Sequence, residues 1–281
     1  MRLGALVIAG LALLVAGAAG RDPALPHYAL DGKPTSEVHL DKAQREISGI
    51  AFTADGRLLA HGDEHALVWE LDPASGKVLK RFGLGRAGHV LKGDFEDIQV
   101  VNGRVFLVTS SGEIVSGSEG ADGAVVSTAN VAEELQGACE VEGLAWDEPT
   151  RAFLLLCKEV VSKRWRDAVI VLGVNSETWQ LEAKPRMVIP EHELERVSGT
   201  KGFHGSAMVR HPRTGTYLLL AGPEKAYAEV DAAGRVLGGG KLDSKHHRQP
   251  EGIAIGPDLS LLISDEGAGK DATLATYAWR P

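Results

Sequence analysis

The sequence has no excess of basic residues. Its 30 lysines and arginines stand against 38 aspartates and glutamates, which gives a formal net charge of −8 at pH 7. Nucleic-acid binding depends on a basic face that neutralises phosphates, so we expect no DNA or RNA partner. Methionine is also scarce, at three residues, whereas glycine reaches 34. The short apolar runs, separated by DG, SG and AG, therefore favour β-strands joined by tight turns over helices.

The sequence also lacks the short motifs of familiar catalytic sites. It contains no G-x-S-x-G, no H-E-x-x-H and no P-loop. The segment GLGRAG at 83–88 lies between predicted strands, where glycine serves the geometry of a turn, and not before a helix. These absences argue against the common hydrolase and nucleotide chemistries.

The N-terminus carries an apolar run that follows Arg2, extends to Val15 and ends in small residues. This is the pattern of a secretory signal peptide, and it is short for a membrane span of about 20 apolar residues. We predict a signal peptide at 1–20 and a single β-propeller domain, argued below, at 21–281; an uncleaved anchor is the alternative. The protein should then be periplasmic or secreted, with no stable membrane span after cleavage, in an oxidising compartment.

Five segments of the chain share one apolar register. They are EISGIAFTADG at 46–56, DFEDIQVVNG at 94–103, EVEGLAWD at 140–147, FHGSAMVRHPRTG at 203–215 and QPEGIAIGPDLS at 249–260. The equivalent positions are Ser48, Glu96, Glu142, Gly205 and Glu251, which are separated by 48, 46, 63 and 46 residues. A period in the mid-forties is typical of propeller blades, each built from four short antiparallel strands.

Each segment is followed by a turn and by a second apolar run, such as RVFLVTS, AFLLLCK and YLLLAG. We therefore predict an all-β, five-bladed β-propeller. A six-bladed propeller is the alternative, and it would need a hidden copy within the 63-residue interval. Only 30 residues follow Glu251, so the extended N-terminal segment at 27–40 should add the missing strand and close the last blade without a free edge.

The alternation of SGIAF, FEDIQV, VEGLAW and PEGIAI, with the acidic strand ends GDEH, CKEV, GPEK and SDEG, resembles the SdiA-regulated family. These are YjiK-like bacterial β-propellers, distantly related to NHL-repeat propellers. The resemblance covers residues 44–279 and implies a five-bladed propeller with a calcium site, no established enzymatic activity and a binding role. The chain departs from the pattern at Ser48, His204 and Gly205, so a metal site would draw on only some of the blades.

Three acids, Glu96, Glu142 and Glu251, occupy equivalent positions on the predicted innermost strands. Innermost strands line the central channel of a propeller, so these side chains should converge on its axis. Carboxylates brought together repel one another unless protons or a cation neutralise them, and oxygen donors suit Ca²⁺ better than zinc or copper. We therefore expect calcium as the cofactor, held by these three residues. The alternative is that the acids stay solvated in a water-filled channel.

Four further residues flank the same strand ends, namely Asp94, Asp97, Glu140 and His204. They are candidates for the outer shell of the metal site, although acids beside β-turns are more often solvated or bound to turn amides. His204 could act as an additional ligand or a general base, or be a hydrogen-bonded structural residue. Two acid pairs, Asp63 with Glu64 and Asp265 with Glu266, end second strands, so we expect them to lie away from the axis.

Two functions fit these features. The first is an exported, non-enzymatic, calcium-binding propeller that binds an unknown protein or small ligand, with the long segment at 160–202 as the recognition surface. In this segment Pro190 could open a short acidic helix, and we expect that the segment can be removed without loss of the fold. The second is a calcium-dependent hydrolase of the lactonase or phosphoesterase type. A hydrolase needs a group that moves protons beside an open metal position, and the sequence offers only His204 and spare carboxylates. We therefore prefer the binding module and assign no catalytic residue.

The chain has only two cysteines, Cys139 and Cys157, and we predict that they form a disulfide. If the turn DEPTR sets Trp146 opposite Ala152, Val141 faces Cys157. Cys139 then lies on the diagonal, slightly beyond the usual disulfide Cα separation of about 4.4 to 6.8 Å. A one-residue bulge or a shorter turn would bring the two cysteines within range. Two buried free thiols are the alternative.

Overall fold

The computed structural model describes residues 22–133, 135 and 137–281 of the chain. The predicted signal peptide lies outside these residues, so its assignment stays a prediction. The described residues form 21 β-strands, one α-helix and three short 3-10 helices, at Leu25–His27, Lys42–Gln44 and Lys163–Trp165. None of the helices in this part of the chain is long and apolar enough to cross a membrane.

The strands follow one another through the chain with short connections. The first ten are β1 (Ser36–His39), β2 (Ile47–Phe52), β3 (Leu58–Gly62), β4 (Leu67–Leu71), β5 (Val78–Arg86), β6 (His89–Val90), β7 (Phe95–Val101), β8 (Arg104–Thr109), β9 (Ile114–Ser118) and β10 (Val125–Ala132). The others are β11 (Cys139–Asp147), β12 (Ala152–Val160), β13 (Ala168–Asn175), β14 (Met187–Pro190), β15 (Gly205–Arg210), β16 (Tyr217–Ala221), β17 (Ala226–Val230), β18 (Val236–Lys241), β19 (Pro250–Ile255), β20 (Leu261–Asp265) and β21 (Thr273–Tyr277). The helix α1 (Glu191–Ser198) lies between β14 and β15.

The strands pair as antiparallel groups of four. Strands β11–β14 and β15–β18 form separate sheets, and β19–β21 are completed by β1. The groups β2–β5 and β7–β10 join into one nine-stranded sheet, because β10 pairs in parallel with β5 and the short β6 also pairs with β5. The first strand of each group contacts its counterparts in the cyclic order β2, β7, β11, β15, β19 and back to β2. The groups therefore surround one axis, as in a β-propeller.

Neighbouring groups pack face to face, so most of the strands are buried on both sides. Leu154 of β12 and Leu219 of β16 belong to one core cluster, and Leu218 of β16 and Ile263 of β20 belong to the next. A strand that is covered on both faces needs a continuous apolar run and not an alternating one. This is why the segments AFLLLC of β12 and YLLLA of β16 do not alternate between apolar and polar residues.

The N-terminal segment closes the last sheet, as the sequence predicts. Strand β1 pairs antiparallel with β21, from Ser36 opposite Thr276 to His39 opposite Thr273. Further upstream, the carboxylate of Glu229, which is fully buried, accepts the backbone N–H groups of Ala24 at 2.6 Å and Leu25 at 2.8 Å. The segment is therefore held at two places that are distant in sequence.

The long interval between the third and fourth repeats was expected to be an added recognition loop with a short acidic helix after Pro190. The helix is present: α1 follows Pro190 and ends at Ser198, and the next residue, Gly199, has a φ of 68°, the left-handed conformation that glycine favours after a helix end. The expectation of a removable loop is wrong, because β13 and β14, within the 160–202 segment, are the third and fourth strands of their sheet. The interval is long because helix and strands share it.

The predicted disulfide is confirmed, and it joins β11 to β12. Cys139 and Cys157 are bonded, with their Cα atoms 5.7 Å apart. Val141 faces Cys157 as expected, but the residue opposite Ala152 is Asp147 and not Trp146. The one-residue difference is taken up by a bulge at Glu142 in β11. A second irregularity lies beside the cysteines, where Glu140 faces Glu159 and Lys158 has no residue opposite it.

Candidate functional site

A β-bulge lies near the start of each innermost strand. In β7, Phe95 faces Thr109 and Asp97 faces Val108, so Glu96 has no residue opposite it. The same irregularity leaves Glu142 unpaired in β11 and Glu251 unpaired in β19. The extra residue of a bulge is turned out of the regular alternation of the strand and re-aimed. The three glutamates therefore share a backbone feature as well as a repeat position.

The structure corrects the repeat alignment in its fourth copy. In β15 the bulge falls between Gly205 and Ala207, so Ser206 is the equivalent of the three glutamates. Its hydroxyl donates to the backbone oxygen of Pro250 at 2.9 Å, and the side chain is buried. The sequence alone places Gly205 here because two small residues stand side by side and either fits the apolar register.

The bulges of β2, β7, β11 and β19 border a cavity of about 190 Å³, called the acidic cavity below; Ser206 of β15 is not part of its lining. Its lining includes Ser48, Gln249, Lys158 and seven carboxylates, which are Glu46, Asp63, Asp94, Glu96, Glu142, Glu251 and Glu266. The structure thus brings the three predicted metal residues to the same place. Carboxylates in this number at one cavity create a strongly negative potential.

Among the residues that the structure describes, Lys158 supplies the one basic group that lines the acidic cavity. Its Nζ donates to Oε1 of Glu142 at 2.7 Å and lies 3.6 Å from Oε1 of Glu140. Burial acts to lower the pKa of Lys158, but the bond to Glu142 and the charges of Glu142, Glu140 and Glu251 outweigh it and raise that pKa. Lys158 therefore stays protonated and acts as the internal counter-ion of Glu142.

Glu96 and Glu251 have no such counter-ion in the described part of the chain. Burial, with the charges of Glu142 and Asp94, raises the pKa of Glu96 from 4.5 to about 8. Burial, with the charges of Glu142 and Glu266, raises the pKa of Glu251 to about 8. Both carboxyl groups therefore hold protons over much of the neutral range unless a cation neutralises them.

The predicted outer-shell residues have different surroundings. Asp94 lines the acidic cavity, and Glu140 reaches Lys158. Asp97 is buried outside the cavity lining, where its Oδ1 accepts the N–H of Ile98 at 2.7 Å and its Oδ2 accepts the N–H of Leu144 at 2.6 Å. Asp97 thus joins β7 to β11 and is a structural residue.

His204 likewise pairs outside the cavity lining. Its Nδ1 lies 2.7 Å from Oε1 of Glu224, whose Oε2 accepts the His204 backbone N–H at 3.0 Å. The side chain is 43% exposed. In this arrangement the histidine stabilises the chain just before β15.

Two acids were expected to lie away from the axis and do not. The sequence places Asp63 and Glu266 at the ends of second strands, yet both line the acidic cavity. The reason is geometric, because the end of the second strand in an antiparallel hairpin lies beside the start of the first. The recurring acids of GDEH and SDEG were therefore a signal for the site, and so was the lysine of CKEV.

The carboxylate oxygens of the acidic cavity suit a hard cation, but their side chains are too far apart to bind one ion together. Within the described residues, no three His, Cys, Asp or Glu side chains are placed to hold a single metal ion. Carboxylate oxygens are the ligands that calcium prefers, so the chemistry of the donor set fits. Binding would require the side chains to rotate toward one another. Glu96 accepts no hydrogen bond from another described residue that would oppose such a rotation.

The fold resembles that of several solved structures. The chain is similar to glutaminyl cyclase from Myxococcus xanthus (TM-score 0.57, 12% identity, covering 88% of this chain and 95% of that one). It is also similar to a PQQ-bound aldose sugar dehydrogenase from Streptomyces coelicolor (TM-score 0.54, 12% identity, covering 88% of this chain and 97% of that one). A third similar structure is a luciferin-regenerating enzyme (TM-score 0.51, 11% identity, covering 86% of this chain and 95% of that one). At these identities the likeness concerns the fold alone. No curated protein matches the chain by sequence. The SdiA-regulated family matches residues 25–268, and the chain belongs to this family.

Proposed function

We propose that the protein is an exported, five-bladed β-propeller that binds calcium in the acidic cavity and serves as a non-enzymatic binding module for a protein or small ligand. The observation that carries the proposal is the meeting of seven carboxylates around about 190 Å³ with a single lysine. The count of five blades is supported by the groups of four strands and by the cyclic contacts of their first strands. The disulfide fits an oxidising, extracytoplasmic compartment.

Calcium would be held by Glu96, Glu142 and Glu251. A divalent cation would replace the protons of Glu96 and Glu251 and compete with Lys158 for Glu142. In the calcium-free protein, those protons and the ammonium group of Lys158 would neutralise the carboxylates in place of the cation. Hard oxygen donors at a flexible cavity favour calcium over zinc, which prefers nitrogen and sulfur ligands. The bound ion would link strands from three groups and so stiffen the channel.

Titration calorimetry and thermal unfolding test this proposal. We expect calcium to bind the chelator-treated protein and to raise its melting temperature, because a ligand at 100 times its Kd stabilises the native state by about 2.7 kcal/mol. Glu142→Gln should weaken binding by roughly tenfold or more, since it removes one ligand charge. Glu177→Gln is the matched control, because Glu177 is exposed and lies outside the cavity lining. Absence of binding heat together with an unmoved melting temperature would exclude the calcium site.

The second candidate is a calcium-dependent hydrolase that uses the same cavity. It is favoured by one observation: Glu96 and Glu251, with pKa values of about 8, lie in the range in which a carboxyl group exchanges protons near neutral pH. A screen of lactones and phosphate esters, with and without chelator, separates the two functions. Turnover that requires calcium and is lost in Glu96→Gln would favour the hydrolase over the binding module.

A further inference from the structure

A second cavity lies at the other end of the innermost strands. Its volume is about 250 Å³, and all of the strands β2, β7, β11, β15 and β19 or the residues just after them contribute to its lining. Trp146 in this cavity is four residues beyond Glu142, which corresponds to about 13 Å along a strand. The second cavity, called the apolar cavity below, is therefore separate from the acidic one.

One cation, Arg210, stands in the wall of the apolar cavity. Its Nε lies 3.3 Å from Oδ1 of Asp147, but without a well-directed hydrogen bond. Asp147 also pairs with Arg186, whose Nη1 lies 3.4 Å from Oδ2. Asp147 is thus shared by two arginines, and the hydroxyl of Tyr217, which faces Arg210 across β15 and β16, is another polar group close to the Arg210 side chain. The two terminal nitrogens of a guanidinium form a fork that matches a carboxylate.

Most of the other side chains that line the cavity are apolar, and one of them is an oriented aromatic ring. Phe52, Val209 and Ile255 line the cavity together with Trp146. The indole Nε1 of Trp146 donates to Oε2 of Glu148 at the rim, which fixes the orientation of the ring. A concave, largely apolar site with a few directed polar groups is the usual form of a small-molecule pocket.

We propose that the apolar cavity binds a small apolar molecule that carries one carboxylate, such as an aliphatic or aromatic acid. The carboxylate pairs with Arg210, and the apolar part lies against Trp146 and Val209. The negative charge of Glu148 at the rim disfavours ligands with a second anionic group. This site does not involve the acidic cavity, so it does not depend on calcium binding.

Phenylacetate is a suitable probe, with phenylacetamide as its neutral counterpart of nearly the same shape. Binding is measured by calorimetry or ligand-observed NMR in the presence of chelator, so that failure of the calcium site has no influence on the result. We expect phenylacetate to bind at least tenfold more tightly than phenylacetamide. Arg210→Gln should remove that difference. Arg235→Gln, at an arginine outside the cavity, is the control and should retain it.

A second variant keeps the test valid if loss of Arg210 disturbs the fold around Asp147. Val209→Phe fills the apolar cavity and leaves Arg210 in place, so it should abolish binding of both probes. Three results would each overturn the proposal. They are equal affinities for phenylacetate and phenylacetamide, unchanged binding in Val209→Phe, and no binding of phenylacetate at a concentration of about 10 mM, ten times a Kd of about 1 mM.

Discussion

Glu96 and Glu251 have the unusual property that the fold makes their ionisation difficult. The sequence predicts that acids at the repeat position meet, because the repeat period and propeller geometry place them on one axis. It could not predict Lys158 as the counter-ion of Glu142, since that contact depends on the register of β11 against β12. Nor could it assign the fourth position to Ser206, because a bulge shifts the register by one residue. Bulges depend on how neighbouring strands pack, which a repeat pattern does not contain.

The raised pKa of Glu96 gives a stability prediction for the calcium-free protein. Between pH 4.5 and about 8 the folded protein keeps a proton on Glu96 that the unfolded chain has released. The free energy of unfolding therefore falls as the pH rises through this window, and the loss is complete above about pH 8. Glu96→Gln removes the loss, so its melting temperature at pH 8.5 should exceed that of the parent, by about 2 to 4 °C for each kcal/mol of stability that the parent has lost.

The same variant should differ little from the parent at pH 4.5, where both side chains are neutral. Thermal unfolding in chelator at several pH values measures the difference, and Glu177→Gln serves as the exposed control. A difference that is constant across the pH range would show that the carboxyl group of Glu96 ionises in the folded protein as it does in the unfolded chain.

Single strands and hairpins were largely predictable, but their partners at the sheet edges were not. The innermost and second strands follow from the repeats, and α1 follows from Pro190 and its acidic turn. The parallel pairing of β10 with β5 has no signature in either strand. At Gly85 of β5, a Cβ atom would lie 2.6 Å from Cγ1 of Val125 in β10 and would also overlap the backbone oxygen of His89 in β6. Glycine is permitted there because a neighbouring backbone occupies the place of a side chain.

The hairpin of β11 and β12 carries the disulfide beside the acidic cavity. Cys139 precedes Glu140, and Cys157 precedes Lys158, so the bond holds the two strands that bear Glu142 and its counter-ion. The double variant Cys139→Ala and Cys157→Ala should lose about 3 kcal/mol of stability, on the loop-entropy model for a separation of 18 residues. For a domain of this size, that corresponds to a melting temperature lower by about 6 to 12 °C.

Thermal unfolding of the double variant tests this expectation, with the parent protein measured with and without reductant as the comparison. The reduced parent should approach the double variant, because both lack the covalent link. A double variant that melts with the oxidised parent would mean that β11 and β12 are held fully by their ladder and core contacts, and that the bond adds nothing.

At the scale of the whole molecule, one sheet of the ring combines strands from opposite ends of the described chain, and we call the pairing of β1 with β21 the seam. Strand β1 completes the sheet of β19–β21, and the upstream residues Ala24 and Leu25 satisfy the buried carboxylate of Glu229. The sequence predicts the closing strand by counting residues after Glu251. It contains no signal for the Glu229 contact, which joins positions more than 200 residues apart.

This seam leads to a prediction for a chain that begins at residue 41. Its loss of β1 would expose the edge of β21, and the removal of Ala24 and Leu25 would leave Glu229 buried without its backbone donors, which is costly. We expect a melting temperature lower than that of the 22–281 protein by about 10 °C or more, together with a tendency to aggregate through the exposed edge.

A synthetic peptide of residues 22–42 should restore both stability and solubility when it is added to the shortened chain. The matched control is the same peptide with Leu40→Pro, because the Leu40 N–H donates to the Ala272 oxygen at 2.9 Å and proline has no such donor. Rescue by the first peptide and not by the second would locate the effect in strand pairing across the seam. If the shortened chain melts at the temperature of the 22–281 protein, the ring is held by the hydrophobic cores between its strand groups alone, and closure by β1 has no energetic role.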